Sequence, residues 1–287
     1  MKFERFRIGR ERAGMKGKTA VVTGGGSGIG RALCLAMAKR GARVIVTDIN
    51  GESAGRVAAE CGPGAIARTL DVREAQAVQA AIDETVRDHG AIDYLFNNAG
   101  IGVAGEVDEI PLAGWDLIID VNLRGVIHGV AAAYPHMVQQ GFGHIVNTAS
   151  LAGLGGTPLM APYCTTKHVV VGLSTSLRHE AKARGVRVSV LCPGSIETPL
   201  LDSKHIYGTE YDVWVPNVRR YLGRLSGPPY PADKLAEETL AAVERNLGII
   251  VIPARARRIW RISRYFPSLV DKVFPGPLAA ERADRKR

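Results

Sequence analysis

Seven short apolar runs, separated by stretches of helical periodicity, constrain this chain more than any other feature. The runs are TAVVTG (19–24), ARVIVTD (42–48), AIARTLD (65–71), IDYLFNN (92–98), GHIVNTAS (143–150), VRVSVLCPG (186–194) and IIVI (249–252). Most are apolar almost throughout, the pattern of strands covered on both faces of a parallel sheet. Helical candidates fill about 29–40, 52–60, 74–89, 112–139, 162–184 and 232–246. Repeated strand–helix alternation predicts an α/β fold, a doubly wound, Rossmann-like parallel sheet of seven strands. Right-handed crossovers then place helices on both faces. No linker interrupts 18–252, which predicts one catalytic domain there, a basic N-terminal arm at 1–17 and a basic amphipathic C-terminal tail at 253–287. The longest stretch without a clear element, about 195–230, is rich in Pro, Gly and aromatics and predicts a functional lid.

Charge sharpens this division. The net charge is +9, with +5 in residues 1–18 and +7 in residues 251–287, which leaves −3 on the middle of the chain. A nucleic-acid-binding body would need a basic face, so that class is set aside. Basic arms do allow contact with anionic membrane surfaces or acidic partners. Cys34, Cys61, Cys164 and Cys192 are widely spaced, with no CxxC pair and no histidine cluster. That pattern predicts neither a metal site nor a disulfide framework and fits a cytoplasmic protein. No apolar run approaches the roughly 18 residues of a membrane span. The charged N-terminus does not resemble a secretory signal.

The first strand leads into Thr23-Gly-Gly-Gly-Ser-Gly-Ile-Gly30 and then a helix. Glycines allow a tight turn and close approach of a pyrophosphate, and a helix N-terminus offers N–H groups and a positive dipole. Gly24, Ser27, Gly28, Ile29 and Gly30 are therefore cofactor-binding candidates, although a Gly-rich turn can also be bare. Asp48 ends the second strand, where an acid accepts hydrogen bonds from ribose hydroxyls and repels a 2′-phosphate. Its neighbours are uncharged, and Arg31 lies beyond the loop, so NAD is expected rather than NADP. Asp71 and Val72 end the third strand near the expected adenine; Asp71 can meet the amino group or cap a helix. Asn98, Ala99 and Gly100 end the fourth, where small residues admit a cofactor and the Asn97 and Asn98 side chains can tie strand ends together.

Tyr163 and Lys167 stand four apart in a helix opening at Ala161-Pro162, which puts them on one face. Ser150 ends the fifth strand. The Gly loop, Asn97-Asn-Ala-Gly100, Asn122, Ser150, Tyr163-Cys-Thr-Thr-Lys167 and Pro193-Gly194 together resemble the short-chain dehydrogenase/reductase family over about residues 16–252. Cys164-Thr165-Thr166 replaces the smaller residues common there. The resemblance implies an NAD(P)-dependent oxidoreductase interconverting a secondary alcohol and a ketone. It implies Tyr163 as acid/base, its pKa lowered by the Lys167 cation and the positive nicotinamide ring together, and Lys167 as the holder of the ribose hydroxyls. Ser150 would orient the substrate oxygen, and Asn122 would fix a proton-relaying water. Pro193, Gly194, Ile196 and Thr198 would lie on the nicotinamide side. A homotetramer or homodimer through the helices near 112–139 and 162–184 is implied too.

Leu151, Leu154, Leu159 and Met160, with Ile206, Tyr207, Tyr211, Trp214 and Tyr221 in the lid, suit a bulky lipophilic alcohol or ketone, or else simply pack the lid. Residues 254–274 set Ile259, Ile262, Phe266, Leu269 or Val270, and Val273 at helical spacing beside Arg255, Arg257, Arg258, Arg261 and Arg264. Pro267 should split this segment into two helices. With Trp260 it resembles an interfacial membrane anchor, and packing on the body or a neighbouring subunit is the competing expectation. A non-catalytic cofactor-binding scaffold is the alternative function; the complete Ser–Tyr–Lys set argues against it. A nucleotide-sugar epimerase or dehydratase is a more distant one.

Overall fold

In the computed structural model, which describes residues 14–202 and 213–285, seven parallel strands form one sheet. They are β1 (Thr19–Thr23), β2 (Arg43–Asp48), β3 (Ile66–Thr69), β4 (Tyr94–Asn97), β5 (Gly143–Thr148), β6 (Val186–Pro193) and β7 (Ile249–Ile252). Their order is β3-β2-β1-β4-β5-β6-β7. The order reverses between β1 and β4, so the crevice at their carboxyl ends is where such a fold holds a ligand. Central strands such as β1 and β5 are buried nearly throughout, because helices cover both faces. β3 lies at the edge and alternates between half-buried and exposed residues, which is why its run is the least continuous.

Helices α1 (Gly28–Lys39), α2 (Gly51–Cys61) and, later in the chain, the helix Ala232–Glu244 cover one face; Leu33, Met37, Val57, Leu235 and Leu240 share its core with β1 and β2. The opposite face carries α3 (Ala75–His89), α4 (Leu112–Ile119), α5 (Gly125–Gln140) and α6 (Ala161–Lys182), with Ile82, Ala133, Met137 and Leu177 against Ile45, Leu95 and Ile145. Leu112–Gln140 is continuous through a π-helical turn at Asp120–Arg124, where Gly125 N–H donates to Asp120 O. By length and composition this helix could cross a membrane, which corrects the reading that no run is long enough. Its apolar character has a local cause: Val126, Ala132, Ala133 and Met137 are buried against the sheet.

Three further differences from the sequence reading concern the margins. Met15 is buried in the core and Gly17 N–H bonds to Gly41 O, so the folded body reaches back into the expected arm. The expected lid contains the helix α7 (Val218–Ser226), capped by Asn217 Oδ1, whereas Ile206, Tyr207 and Tyr211 lie outside the described residues. After α8 (Ala232–Glu244) and β7, the tail forms α9 (Ala254–Tyr265), α10 (Pro267–Val273) and α11 (Pro275–Arg285). Pro267 opens α10, a place where its missing N–H costs nothing. The third tail helix is anchored by Glu281, 1% exposed, which accepts from Asn217 N at 2.8 Å, from Arg220 at 2.8 and 3.1 Å, and from Arg224 at 3.3 Å. Arg282 and Arg285 pair with Glu106 and Glu109. The end of the tail is thus buckled to α7 and to the loop before α4.

Candidate active site

A cleft of about 760 Å³ opens at the carboxyl edge of the sheet, lined from β1 through β6 and by the tail. Ser150, Tyr163 and Lys167 meet in it. Ser150 ends the loop after β5 and caps the short turn Leu151–Gly153, its Oγ accepting from Ala152 N at 3.1 Å. That bond uses a lone pair and leaves the O–H free to donate. α6 presents Tyr163 and Lys167 one turn apart, with the Lys167 Nζ 5.6 Å from the Tyr163 ring centroid. Lys167 is 3% exposed and donates to Thr148 O at 2.9 Å.

The electrostatics run against one expectation. Among the protein's own groups, burial outweighs the hydrogen bond from Ser150 and pushes Tyr163 up to about 12. Burial likewise brings Lys167 down to about 8. A Lys-driven depression of the tyrosine is therefore not supplied by the protein alone. A cationic nicotinamide ring beside the phenol would act in the opposite direction to burial.

Asn122 is fully buried in the π-helical turn and does not line the cleft. Its Oδ1 accepts from Ile101 N at 2.8 Å and its Nδ2 donates to Ile101 O at 3.0 Å. The side chain is spent on holding the loop after β4. A carbon added to Gly100 would sit 3.2 Å from Asn122 Oδ1 and 3.4 Å from Lys167 Nζ, so all three groups converge.

The cofactor candidates sort into lining and supporting residues. Gly24, Ser27, Gly28, Ile29, Asp48, Asp71, Val72, Asn98, Ala99, Gly100, Pro193, Gly194, Ile196 and Thr198 line the cleft; Gly30 does not. A Cβ on Gly30 would lie 2.0 Å from Gly24 O, so this glycine serves the packing of α1 on its own loop. Gly24 adopts φ +62° and leaves room for Ala99, whose Cα would be 2.8 Å from an added carbon. Thr23 Oγ1 accepts from Asn98 N and Ala99 N, and Asn98 Nδ2 donates back to Thr23 O, so the glycine loop and the end of β4 form one rigid piece. Asn97 ties to Asn147 at 2.9 Å. Asp48 accepts from Gly26 N and Asn50 N, each at 3.0 Å, and is aimed at the loop. Arg31 is held by Glu60 on α2, away from that carboxylate. Asp71 neither caps α3, whose cap position is Glu74, nor stands free: Arg73 grips it and holds its carboxyl below the usual range.

These residues fit a dinucleotide. Ser27 opens α1 without spending its side chain on the cap, and no acid offsets the first turn. The buried Ser195 hydroxyl, on the cleft between Gly194 and Ile196, has no hydrogen-bond partner among the described residues. Asp48 and Lys167 stand at opposite parts of the same cleft, suited to one ribose each.

A model of the short chain dehydrogenase family matches residues 18–206. The chain belongs to that family. The 3-alpha-(or 20-beta)-hydroxysteroid dehydrogenase of Mycobacterium tuberculosis is 37% identical over 214 residues, covering 74% of this chain and 78% of that one. A probable oxidoreductase of the same organism, EphD, is 36% identical over 271 residues, covering 92% of this chain but 45% of its own length. The chain therefore spans less than half of that relative. Among solved structures, a short chain dehydrogenase/reductase from Burkholderia phymatum in complex with NAD superposes with a TM-score of 0.80 and 31% identity, covering 89% of this chain and 95% of that one.

Two features of this short-chain dehydrogenase were not legible in its motifs. Ser195 sits between two residues of a recognised motif and has no partner of its own. The substrate side is walled by α7 and the tail: Val218, Leu222 and Leu225 from α7, Ile259, Ile262, Leu269, Val270 and Val273 from α9 and α10, and Phe274 just after α10. Leu151, Leu154 and Met160 line it as well, but Leu159, Trp214 and Tyr221 do not. Tyr221 is wholly buried, and Trp214 packs under Arg285, 5.2 Å from its ring centroid. Those aromatics pack the lid; aliphatic side chains and Phe274 make the wall. Cys164 is buried with a raised pKa and is a packing residue.

Proposed function

We propose that this short-chain dehydrogenase interconverts a bulky apolar secondary alcohol and its ketone, with NAD preferred over NADP. The carrying observation is that the Ser150 hydroxyl, the Tyr163 phenol and the Lys167 ammonium converge in a cleft whose side along α7 and the tail is mostly apolar. The glycine loop, Asp48 and the residues after β6 would hold a nicotinamide dinucleotide, which would supply the hydride acceptor or donor. Ser150 donates to the substrate oxygen, because Ala152 N already fills one of its lone pairs. In oxidation the substrate hydroxyl gives its proton to the Tyr163 oxygen; in reduction the phenol returns it. Lys167 together with a bound cationic nicotinamide ring would favour the tyrosinate, and its ammonium is offered to a ribose hydroxyl. Asn122, through Ile101, keeps the loop beside Gly100 in place.

The NAD preference rests on Asp48 at the end of β2 and on the diversion of Arg31 to Glu60. The NAD in the Burkholderia phymatum structure supports it. The hydroxysteroid relative supports a bulky substrate. Self-association as a homodimer or homotetramer belongs to the same proposal: Ile127 on α5 and Val169 on α6 leave 44% and 45% of their surface exposed on the two helices concerned. The test is NADH formation from steroid, terpene, retinoid and aliphatic alcohols. Turnover confined to small polar alcohols would contradict the apolar reading.

A further inference from the structure

The tail does more than wall the cleft. Ile262, Tyr265, Phe266, Leu269 and Val273 are 50%, 74%, 58%, 47% and 54% exposed, five large apolar side chains within one twelve-residue span. Ile259, Ile262, Leu269 and Val273 also line the cleft, so they form its rim. Tyr265 and Phe266 stand outside the lining and are exposed. Arg258, Arg261 and Arg264 are exposed, and their three-residue spacing sets them along one side of α9, beside the apolar side. Their partners differ from those of the other tail arginines. Arg255 and Arg257 donate to Pro228 O and Val251 O, and Arg282 and Arg285 close on Glu106 and Glu109. Arg258, Arg261 and Arg264 form no ion pair among the described residues.

We propose that the α9–α10 face docks on an anionic bilayer surface, with Tyr265 and Phe266 among the headgroups and the apolar rim of the cleft at lipid level. Scattered exposed hydrophobes are ordinary, but an apolar ridge flanked by uncommitted arginines has the composition of an interfacial helix. A second copy of the chain fits less well. A two-fold contact through this face would bring the three arginines toward their own images, like charge against like. An anionic lipid surface supplies the missing countercharge. Docking gives an alcohol or ketone dissolved in lipid a path to Tyr163 that avoids water. This purpose rests on the apolar-substrate reading; the docking itself does not.

The test is co-sedimentation of the full chain with vesicles of phosphatidylcholine alone or mixed with phosphatidylglycerol, at low and high salt. Binding is expected to the anionic vesicles and to weaken with salt. In R258E/R261E/R264E, partitioning should fall about 100-fold or more, since each basic side chain near an anionic surface is worth about fivefold. Y265S/F266S should fall about tenfold or more. Both variants should keep the circular dichroism and the turnover of a water-soluble alcohol without vesicles. Absent binding, or binding unchanged in both variants, overturns the docking. So does a change of oligomeric state in Y265S/F266S with vesicle binding intact, which assigns the face to a second copy. Vesicle binding by a chain that turns over no alcohol leaves the docking standing and removes the catalytic reading.

Discussion

The two sides of the cleft are built from different material. The cofactor side is made of strand ends and the glycine loop, locked by short hydrogen bonds such as those of Thr23, Asn98 and Asp48. The substrate side is made of α7 and the tail, joined to each other by Arg220 and Arg224 around the buried Glu281 and to the loop before α4 by Arg282 and Arg285. Rigid strand ends serve a constant partner, whose ribose and phosphate groups must be met at fixed places. A wall of aliphatic side chains on buckled helices can be changed without disturbing those places. Chemistry and selectivity are thereby assigned to separate parts of the chain.

The sharpest way to break this separation is at Tyr163. Tyr163→Phe should lower kcat by about a thousandfold or more, since it removes the transferred proton and little shape. Its NAD affinity, measured by fluorescence titration, should stay within a few fold of the parent. A variant that loses NAD binding and turnover together would join the two sides again.

A smaller effect is expected at Asp48. Asp48→Ala should weaken NAD by about ten- to a hundredfold, the worth of hydrogen bonds to a charged acceptor, and NADP much less. The ratio of kcat/KM for the two cofactors reads this directly. On the other side of the cleft, Glu281→Ala should raise KM for bulky alcohols several-fold by loosening the tail from α7. The NAD affinity and the KM of a small alcohol should hold. An equal rise for small and bulky alcohols would place the tail outside the selectivity wall.

The smallest effect concerns stability. The Lys167 pKa is lowered by burial to about 8, below its unfolded value, so the folded state binds fewer protons between about pH 8 and 10.5. A buried ammonium costs stability below about pH 8, and that cost fades as pH rises through this window. Lys167→Met should therefore unfold at higher urea at pH 7, by about 2 kcal/mol, while being inactive. The gain should shrink toward pH 10.5. Equal stability at every pH would mean that the bond to Thr148 O fully offsets the burial.

The legibility of the molecule follows the same division. The seven strands and their doubly wound parallel arrangement are written in the continuous apolar runs and the helices between them, whereas the strand order comes from the fold. The lining residues from Gly24 to Thr198 stand at strand ends, where spacing in sequence becomes proximity in the cleft. Gly30 and Asn122 illustrate the limit. Their types suit a glycine loop and a polar helix position, but only the fold shows that one packs on Gly24 O and the other holds Ile101. The raised Tyr163 value was not legible either, since it comes from burial in the folded protein, which outweighs the hydrogen bond from Ser150 when no nicotinamide ring is beside the phenol. α7 and α11 were not legible. α7 does carry an apolar stripe, Val218, Tyr221, Leu222 and Leu225, but it spans only nine residues within a Pro- and Gly-rich stretch, and α11 opens on Pro-Gly-Pro.

The most direct measurement is the initial rate of NADH formation by the purified chain across alcohols of one reacting group and increasing apolar bulk. The predicted result is a kcat/KM that rises with bulk, exceeds that with NADP throughout, and collapses in Tyr163→Phe. A rate independent of bulk, equal with NADP, or retained without the phenol would contradict it.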